Sequence, residues 1–426
     1  MSDNKLENRY INDLKRLEYT SNQTIFRLSN WGTVLVAILF LLLTGICVDF
    51  FISDKIDNKI LLIIAAVIGG YMALNIGAND VANNMGPAVG GKVLTITTAV
   101  IIAAICEAAG ALLAGGDVVK TVSKGIIMVD SSISTENFRY LMLSALLSAA
   151  LWINLATILN APVSTTHSIV GGVLGAGLAA AGMNIVNWLT MSKIAASWVI
   201  SPVLGGIIAA SFLFFITTKI INKKDKVNAA RKWIPVLIAV MAAAITAYMT
   251  IKGFKKVYKA SIVEIISYTI FVAVVTFIFS KPWTNKKLLS LKNEKKDIYT
   301  LFNFPLIIGV ALLCFAHGAN DVANAVGPLA AIVSTFNDTN EIASKVSIPF
   351  WVMFIGAIGI SFGLLLFGPK LIKTVGQKIT RLNAPRAYCV AISSAITVLI
   401  ATTLGLPVSS THIAIGSIFG IGFLRE

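Results

Sequence analysis

The 426-residue sequence is poor in charge and in cysteine. Charged residues make up 13% of it and hydrophobic residues 56%, whereas charged residues alone form about a quarter of an average globular protein. The cysteines, Cys47, Cys106, Cys314 and Cys389, stand singly within apolar runs, which excludes the closely spaced pairs of metal and redox motifs. The shortage of charge excludes an ordinary water-soluble fold, because its surface would lack polar cover.

Long apolar runs take the place of charge. Runs such as 31–51, 95–114 and 233–251 approach the length of about 20 residues that spans a bilayer as a helix. Because a backbone in lipid must satisfy its own hydrogen bonds, we expect an all-α polytopic membrane protein with about 12 transmembrane helices. The first 30 residues are polar and mixed in charge, which predicts a cytoplasmic tail rather than a signal peptide.

Two motifs occur twice in the chain. Residues 77–87 (GANDVANNMGP) and 318–328 (GANDVANAVGP) agree at nine of eleven positions, and residues 162–177 and 407–422 agree at eight of sixteen. This self-similarity indicates that one half of the chain duplicates the other. The predicted divisions are a polar tail (1–30), an extra helix and outer loop (31–58), a first repeat (59–182), connecting spans with basic loops (183–300) and a second repeat (301–426).

The formal charge of +15 lies mainly in short loops between the spans. If the N-terminus is cytoplasmic, a drawing of about 12 spans puts most of the 35 Lys and Arg residues on the cytoplasmic side, as the positive-inside rule requires. Nucleic-acid binding is therefore not expected. In this drawing the span with Asp80 runs inward and the span with Asp321 runs outward, which predicts inverted repeats and a site near the midplane on broken helices.

The first motif places a carboxylate, Asp80 or Asp321, inside an apolar span of each repeat. A charge at membrane depth costs a few kcal/mol and usually faces a functional cavity. The neighbouring amide side chains would add oxygen ligands for a hard cation, and the flanking glycines and prolines predict helix breaks at both motifs. The asparagines concerned are Asn79, Asn83, Asn320 and Asn324.

The second motif supplies three hydroxyl residues after a proline in each repeat. Proline fits the first turn of a helix, so the hydroxyls and the free N–H groups of that turn converge on one point. Such a helix end binds an oxyanion such as phosphate or sulfate. The alternative is that the hydroxyls bond back to the carbonyls of their own helix. The residues are Ser164, Thr165, Thr166, Ser409, Ser410 and Thr411.

Further titratable residues lie in the repeats. We interpret His167, His317 and His412 as hydrogen-bonded structural groups, with a proton relay as the alternative. Glu107 lies in an apolar run, and its counterpart in the second repeat is Ile360. Its role as an ion ligand, a proton carrier or the partner of a neighbouring helix stays open.

These motifs resemble those of the inorganic phosphate transporter (PiT) family over residues 60–180 and 301–424. The resemblance implies a secondary transporter in a bacterial inner membrane, with both termini cytoplasmic, that moves phosphate together with Na⁺ or H⁺ and needs no other cofactor. A homo-oligomer is compatible with it. The implied substrate ligands are Asp80, Asn83, Asp321, Asn324 and the six hydroxyl residues. The implied ion ligands are Asn79, Asp80, Asn83, Glu107, Asn320, Asp321 and Asn324.

Three other functions deserve comparison. A sulfate permease, or one for another tetrahedral oxyanion, would share this architecture. An intramembrane hydrolase built on Ser164, His167 and Asp80 has the right residue types, but a duplicated site and the lack of a G-x-S-x-G elbow argue against an enzyme. A passive channel would be excluded by uptake against a gradient.

Overall fold

The computed structural model describes residues 30–52, 58–128, 133–159, 161, 163–253, 258–336, 348–378 and 382–424. Within these ranges the chain is almost entirely helical, and ten helices are long and apolar enough to cross a membrane. Two shorter apolar helices, Thr165–Ala181 and Ser410–Phe423, complete the set. The predicted all-α polytopic membrane fold is thus confirmed, while the tail before residue 30 lies outside the described residues.

The first part of the chain forms α1 (Asn30–Phe51), α2 (Lys59–Gly90), α3 (Ile96–Ala114), α4 (Gly116–Lys120), α5 (Thr135–Ile158) and α6 (Thr165–Ala181). The middle part forms α7 (Trp188–Ile216), α8 (Lys226–Tyr248) and α9 (Ile262–Leu288). The last part forms α10 (Lys295–Thr300), α11 (Asn303–Val333), α12 (Phe350–Lys378), α13 (Ala384–Thr403) and α14 (Ser410–Phe423).

The helices that carry the Asn-Asp motifs are continuous, so the predicted breaks at these motifs are wrong. Both motifs lie inside α2 and α11, which run on through Pro87 and Pro328. Each proline is near the C-terminal end of its helix, where the loss of one backbone hydrogen bond affects only the last turns. Both helices are also largely buried, and their packing outweighs that loss.

The motif glycines serve close helix crossings instead of breaks. A Cβ atom on Gly77 would lie 1.9 Å from the carbonyl oxygen of Ile360 in α12, and one on Gly318 would lie 2.0 Å from that of Glu107 in α3. Small residues let helix backbones approach in this way. α2 of the first half therefore packs on α12 of the second, and α11 of the second half packs on α3 of the first. Both halves share a single core.

The helix breaks lie at the Pro-Val-Ser motifs. α5 and α6 are joined by a short connection and pack side by side, with Gly172 close to the carbonyl of Ala145. α13 and α14 do the same, with Ser393 and Ser394 in contact with Ser417. Each pair is a helical hairpin with its motif at the tip. We call them hairpin 1 (α5–α6) and hairpin 2 (α13–α14).

Two other regions complete the fold. α7 runs beside hairpin 2, where Gly206 approaches the backbone of Gly416. α1 and α9 lie at the periphery and leave most of their large apolar side chains exposed, as expected of helices that face lipid. The core that carries the motifs consists of α2, α3, α11, α12 and the two hairpins.

Candidate functional site

The first asparagine of each motif holds the tip of a hairpin. In the first half, the Asn79 amide donates to Thr157 Oγ1 at 3.1 Å and to the Ala161 carbonyl at 3.3 Å. Its Oδ1 accepts from the Val163 backbone N–H at 3.3 Å. These bonds satisfy backbone groups that the helix break would otherwise leave unpaired in a buried place.

The second half repeats these contacts group for group. The Asn320 amide donates to Thr402 Oγ1 at 3.0 Å and to the Leu406 carbonyl at 3.1 Å, and its Oδ1 accepts from the Val408 N–H at 3.2 Å. Because both ends of each amide are used in this way, the geometry favours a positioning role for Asn79 and Asn320 over the ion-ligand role expected from the sequence.

The second asparagine of each motif contacts the hairpin of the other half. Asn83 donates to Thr411 Oγ1 at 2.8 Å, and Asn324 donates to Thr166 Oγ1 at 3.0 Å. The hairpin tips also meet directly, since Thr166 Oγ1 donates to the Val408 carbonyl at 2.9 Å. The hydroxyls and the amides predicted for the site are therefore brought together.

The two aspartates lie on either side of one hydroxyl. Thr165 Oγ1 is 2.8 Å from Asp80 Oδ2 and 3.2 Å from Asp321 Oδ2, and each aspartate is only 1% exposed. A hydroxyl has one proton to donate, so it can serve only one carboxylate at a time. Two buried carboxylates this close repel each other strongly at low dielectric, and a cation between them would relieve the repulsion.

His317 lies among these carboxylates. Its Nε2 is 3.1 Å from Asp321 Oδ2 and 3.6 Å from Asp80 Oδ2, and its Nδ1 is 3.2 Å from Glu107 Oε1. All four side chains are buried. The sequence left His317 open between a structural group and a proton relay, and it did not predict these carboxylates as its neighbours. The available signal was its spacing of four residues before Asp321, which puts both on one helix face.

Glu107, His317 and Asn84 form an asymmetric cluster, which we call the polar trio. Glu107 Oε1 accepts from the Asn84 amide at 2.8 Å, and the sequence analysis did not predict Asn84. The motif alignment and the matching crossings at Gly77 and Gly318 identify the counterparts in the other half. These are Ile360 for Glu107, Ile76 for His317 and Ala325 for Asn84, and all three are apolar and buried.

The predicted hydroxyls divide into two groups. Ser164 and Ser409 cap their own helices by accepting from the backbone N–H of His167 at 3.1 Å and of His412 at 3.2 Å. Thr165, Thr166 and Thr411 point at the carboxylates and amides described above. Ser410, the counterpart of Thr165, has a buried Oγ atom without a partner among the described residues.

Several buried oxygen atoms at this site also have no partner within the described part of the chain. They are Asn84 Oδ1, Glu107 Oε2, Asp321 Oδ1 and Asn324 Oδ1. A buried acceptor without a partner costs about 1–3 kcal/mol, so four together indicate a place suited to binding a ligand. Carboxylate and amide oxygens fit a hard cation, and the helix ends with their hydroxyls fit an oxyanion.

A comparison with known proteins identifies the family of this chain. A model described as the phosphate transporter family matches residues 76–426. The chain belongs to this family. Membership confirms the class expected from the sequence, a membrane transporter of phosphate and not an enzyme.

Relatives in the phosphate transporter family extend over nearly the whole chain. A protein of Helicobacter pylori (strain ATCC 700392 / 26695) named "Putative phosphate permease" is 50% identical over 397 residues, which cover 92% of this chain and 74% of the relative. A permease of the same description from Thermococcus kodakarensis is 36% identical over 364 residues, which cover 85% of this chain and 89% of the relative.

A solved structure that is similar to this chain has the same fold. It is described as the sodium-dependent phosphate transporter, and it is 40% identical with a TM-score of 0.81 over 86% of this chain and 90% of that one. The arrangement of helices and hairpins in this chain is therefore that of a phosphate transporter.

Proposed function

We propose that this chain is a symporter that moves inorganic phosphate across the membrane together with Na⁺. The observation that carries the proposal is the placing of Asp80, Asp321 and Glu107, all buried, beside two helix ends that suit an oxyanion. An anion would not bind next to three carboxylates unless cations bind with it. The similarity to a sodium-dependent phosphate transporter supports Na⁺ as that cation, and H⁺ is the alternative.

The proposed roles follow from the contacts. Phosphate is bound by the helix ends of α6 and α14, where Ser410 and Thr411 offer hydroxyl groups and the first-turn N–H groups offer donors. Na⁺ is held by the carboxylates of Asp80 and Asp321. The remaining ion ligands are the oxygen atoms of Asn83, Asn324 and Glu107.

The proposed transport cycle rests on the two hairpins. Their tips meet beside the Asn-Asp motif of α2. In this proposal hairpin 1 and hairpin 2 enter from opposite sides of the membrane, as inverted repeats do, and alternating access follows when one unit moves against the other. The predicted boundaries of the repeats, the cytoplasmic termini and the location in a bacterial inner membrane are part of this proposal.

Reconstitution tests the substrate and the ion together. Purified protein in liposomes should accumulate labelled phosphate against its gradient when Na⁺ is imposed outside at equal pH, and a K⁺ gradient should give no accumulation. A pH gradient without Na⁺ separates H⁺ coupling from Na⁺ coupling. Excess unlabelled phosphate should compete fully and sulfate should not.

The matched control is the Asp80→Asn variant, which keeps the size of the side chain. It should insert into the liposomes equally and show no Na⁺-driven uptake. Uptake driven equally by K⁺ would contradict the sodium proposal, and equal competition by sulfate would contradict phosphate as the preferred anion.

A further inference from the structure

The two hairpins bring a pair of histidines together at their interface. His167 follows the tip of hairpin 1 and His412 follows the tip of hairpin 2, at equivalent positions of the repeated motif. Their ring centroids are 4.7 Å apart with an angle of 67° between the ring planes. Both residues are half-buried, and neither side chain has a role in the site proposed for phosphate and Na⁺.

The separation of the rings matches that of two imidazoles on one metal ion. With a Zn–N distance of about 2.1 Å and an N–Zn–N angle of about 90–110°, the ring centroids lie roughly 4.5–5.2 Å apart. The observed 4.7 Å falls in this interval. Rotation of each ring about its last side-chain bond can then turn one nitrogen toward the shared position.

One imidazole nitrogen is free for this purpose. His167 Nε2 is buried and has no hydrogen-bond partner within the described residues. Trp198 of α7 covers one face of the same ring, with centroids 3.9 Å apart, but its indole N–H donates to the Pro407 carbonyl at 3.2 Å. The tryptophan therefore covers one face of the ring and leaves the nitrogen unused.

We propose that His167 and His412 form a binding site for a transition-metal dication of the Zn²⁺ class. Neutral imidazole is a preferred ligand of Zn²⁺, Cu²⁺ and Ni²⁺ and a poor one for Na⁺, so the site differs in chemistry from the carboxylate cluster. Water completes the coordination. Because the two ligands come from different hairpins, a bound ion ties the hairpins together and blocks any transport step in which they separate.

Metal binding is measured directly on purified full-length protein by equilibrium dialysis with Zn²⁺ alone. We expect one Zn²⁺ per chain, and we expect the His167→Gln and His412→Gln variants each to bind it at least about tenfold more weakly. The His317→Gln variant is the matched control, since it removes the remaining histidine and should leave Zn²⁺ binding unchanged. Loss of binding in His317→Gln alone would move the metal to the carboxylates and overturn the proposal, as would equal binding by all variants.

A second measurement follows transport. Micromolar Zn²⁺ should inhibit phosphate uptake by the wild type and not by His167→Gln or His412→Gln, whose uptake in a metal chelator should equal that of the wild type. If those variants do not fold, modification of the wild type by diethylpyrocarbonate decides the question. Zn²⁺ should protect both His167 and His412 from modification. If the modification of both residues is the same with and without Zn²⁺, the proposed site is wrong. The dialysis result does not depend on phosphate transport, so this proposal and the proposed function can fail separately.

Discussion

Asn83 in α2 donates a hydrogen bond of 2.8 Å to Thr411 in α14, 328 positions later in the chain. The bond joins the Asn-Asp motif of the first half to the hairpin of the second, at the point where we place phosphate. Replacing Thr411 by Val keeps the shape of the side chain and removes its oxygen. Since a hydrogen bond to a charged group is worth about 1.5–3 kcal/mol, we expect the KM for phosphate to rise about tenfold or more.

The control for this variant is Thr403→Val. The Thr403 hydroxyl only bonds back to the Leu399 carbonyl in its own helix, so the KM should stay near the wild-type value. An unchanged KM in Thr411→Val would remove this hydroxyl from the phosphate site.

The aspartates are expected to couple the ion to phosphate. Phosphate and Na⁺ should each raise the affinity for the other by the same factor, as linkage requires. In Asp80→Asn or Asp321→Asn, any phosphate binding that remains should no longer depend on Na⁺. Calorimetric titration of phosphate at low and high Na⁺ measures this. A variant whose phosphate binding still tightens normally with Na⁺ would show that its aspartate is not the coupling group, and Glu107 would be examined next.

The first asparagine of each motif should matter for stability rather than for ion binding. Asn79→Ala and Asn320→Ala each leave buried backbone groups of a hairpin tip without partners, at a cost of about 1–3 kcal/mol. The thermal midpoint of unfolding should fall in both variants, while the increase in midpoint caused by Na⁺ should remain. Loss of the Na⁺ effect with an unchanged midpoint would instead support the ion-ligand role expected from the sequence.

The crossing of α2 and α12 should not tolerate a methyl group at Gly77. A Cβ atom there would meet the Ile360 carbonyl at 1.9 Å, and overpacking of this kind costs about 1–3 kcal/mol or more. Gly77→Ala should therefore lower the yield of monodisperse protein and its thermal midpoint. Gly86 lies in the same helix, where a Cβ atom would meet nothing within 4 Å. Gly86→Ala should be neutral or stabilising, because alanine favours a helix by up to about 1 kcal/mol over glycine.

The sequence predicted the membrane class, and it identified the repeated motifs whose side chains the structure brings together, because spans and repeated motifs are local patterns. It failed at Gly77 and Gly318, since a glycine for a helix break and a glycine for a close crossing look the same until the partner helix is known. It also missed Asn84 and the contacts of His317. Both residues contact Glu107, which lies on a different helix. Neither has a polar counterpart in the other repeat that would have marked it as part of the site.

The polar trio has a consequence for the resting state of the transporter. In a transporter whose inverted repeats exchange conformations, identical repeats would make the outward-facing and inward-facing forms equal in free energy. Here one crossing contains Glu107 and His317, and the other contains Ile360 and Ile76 in the same places. A conformational change that loosens one crossing and tightens the other thus exchanges unequal interactions. If the proposed alternating access operates, we expect the empty carrier to prefer one side of the membrane, and its own sequence sets that preference before any ligand binds.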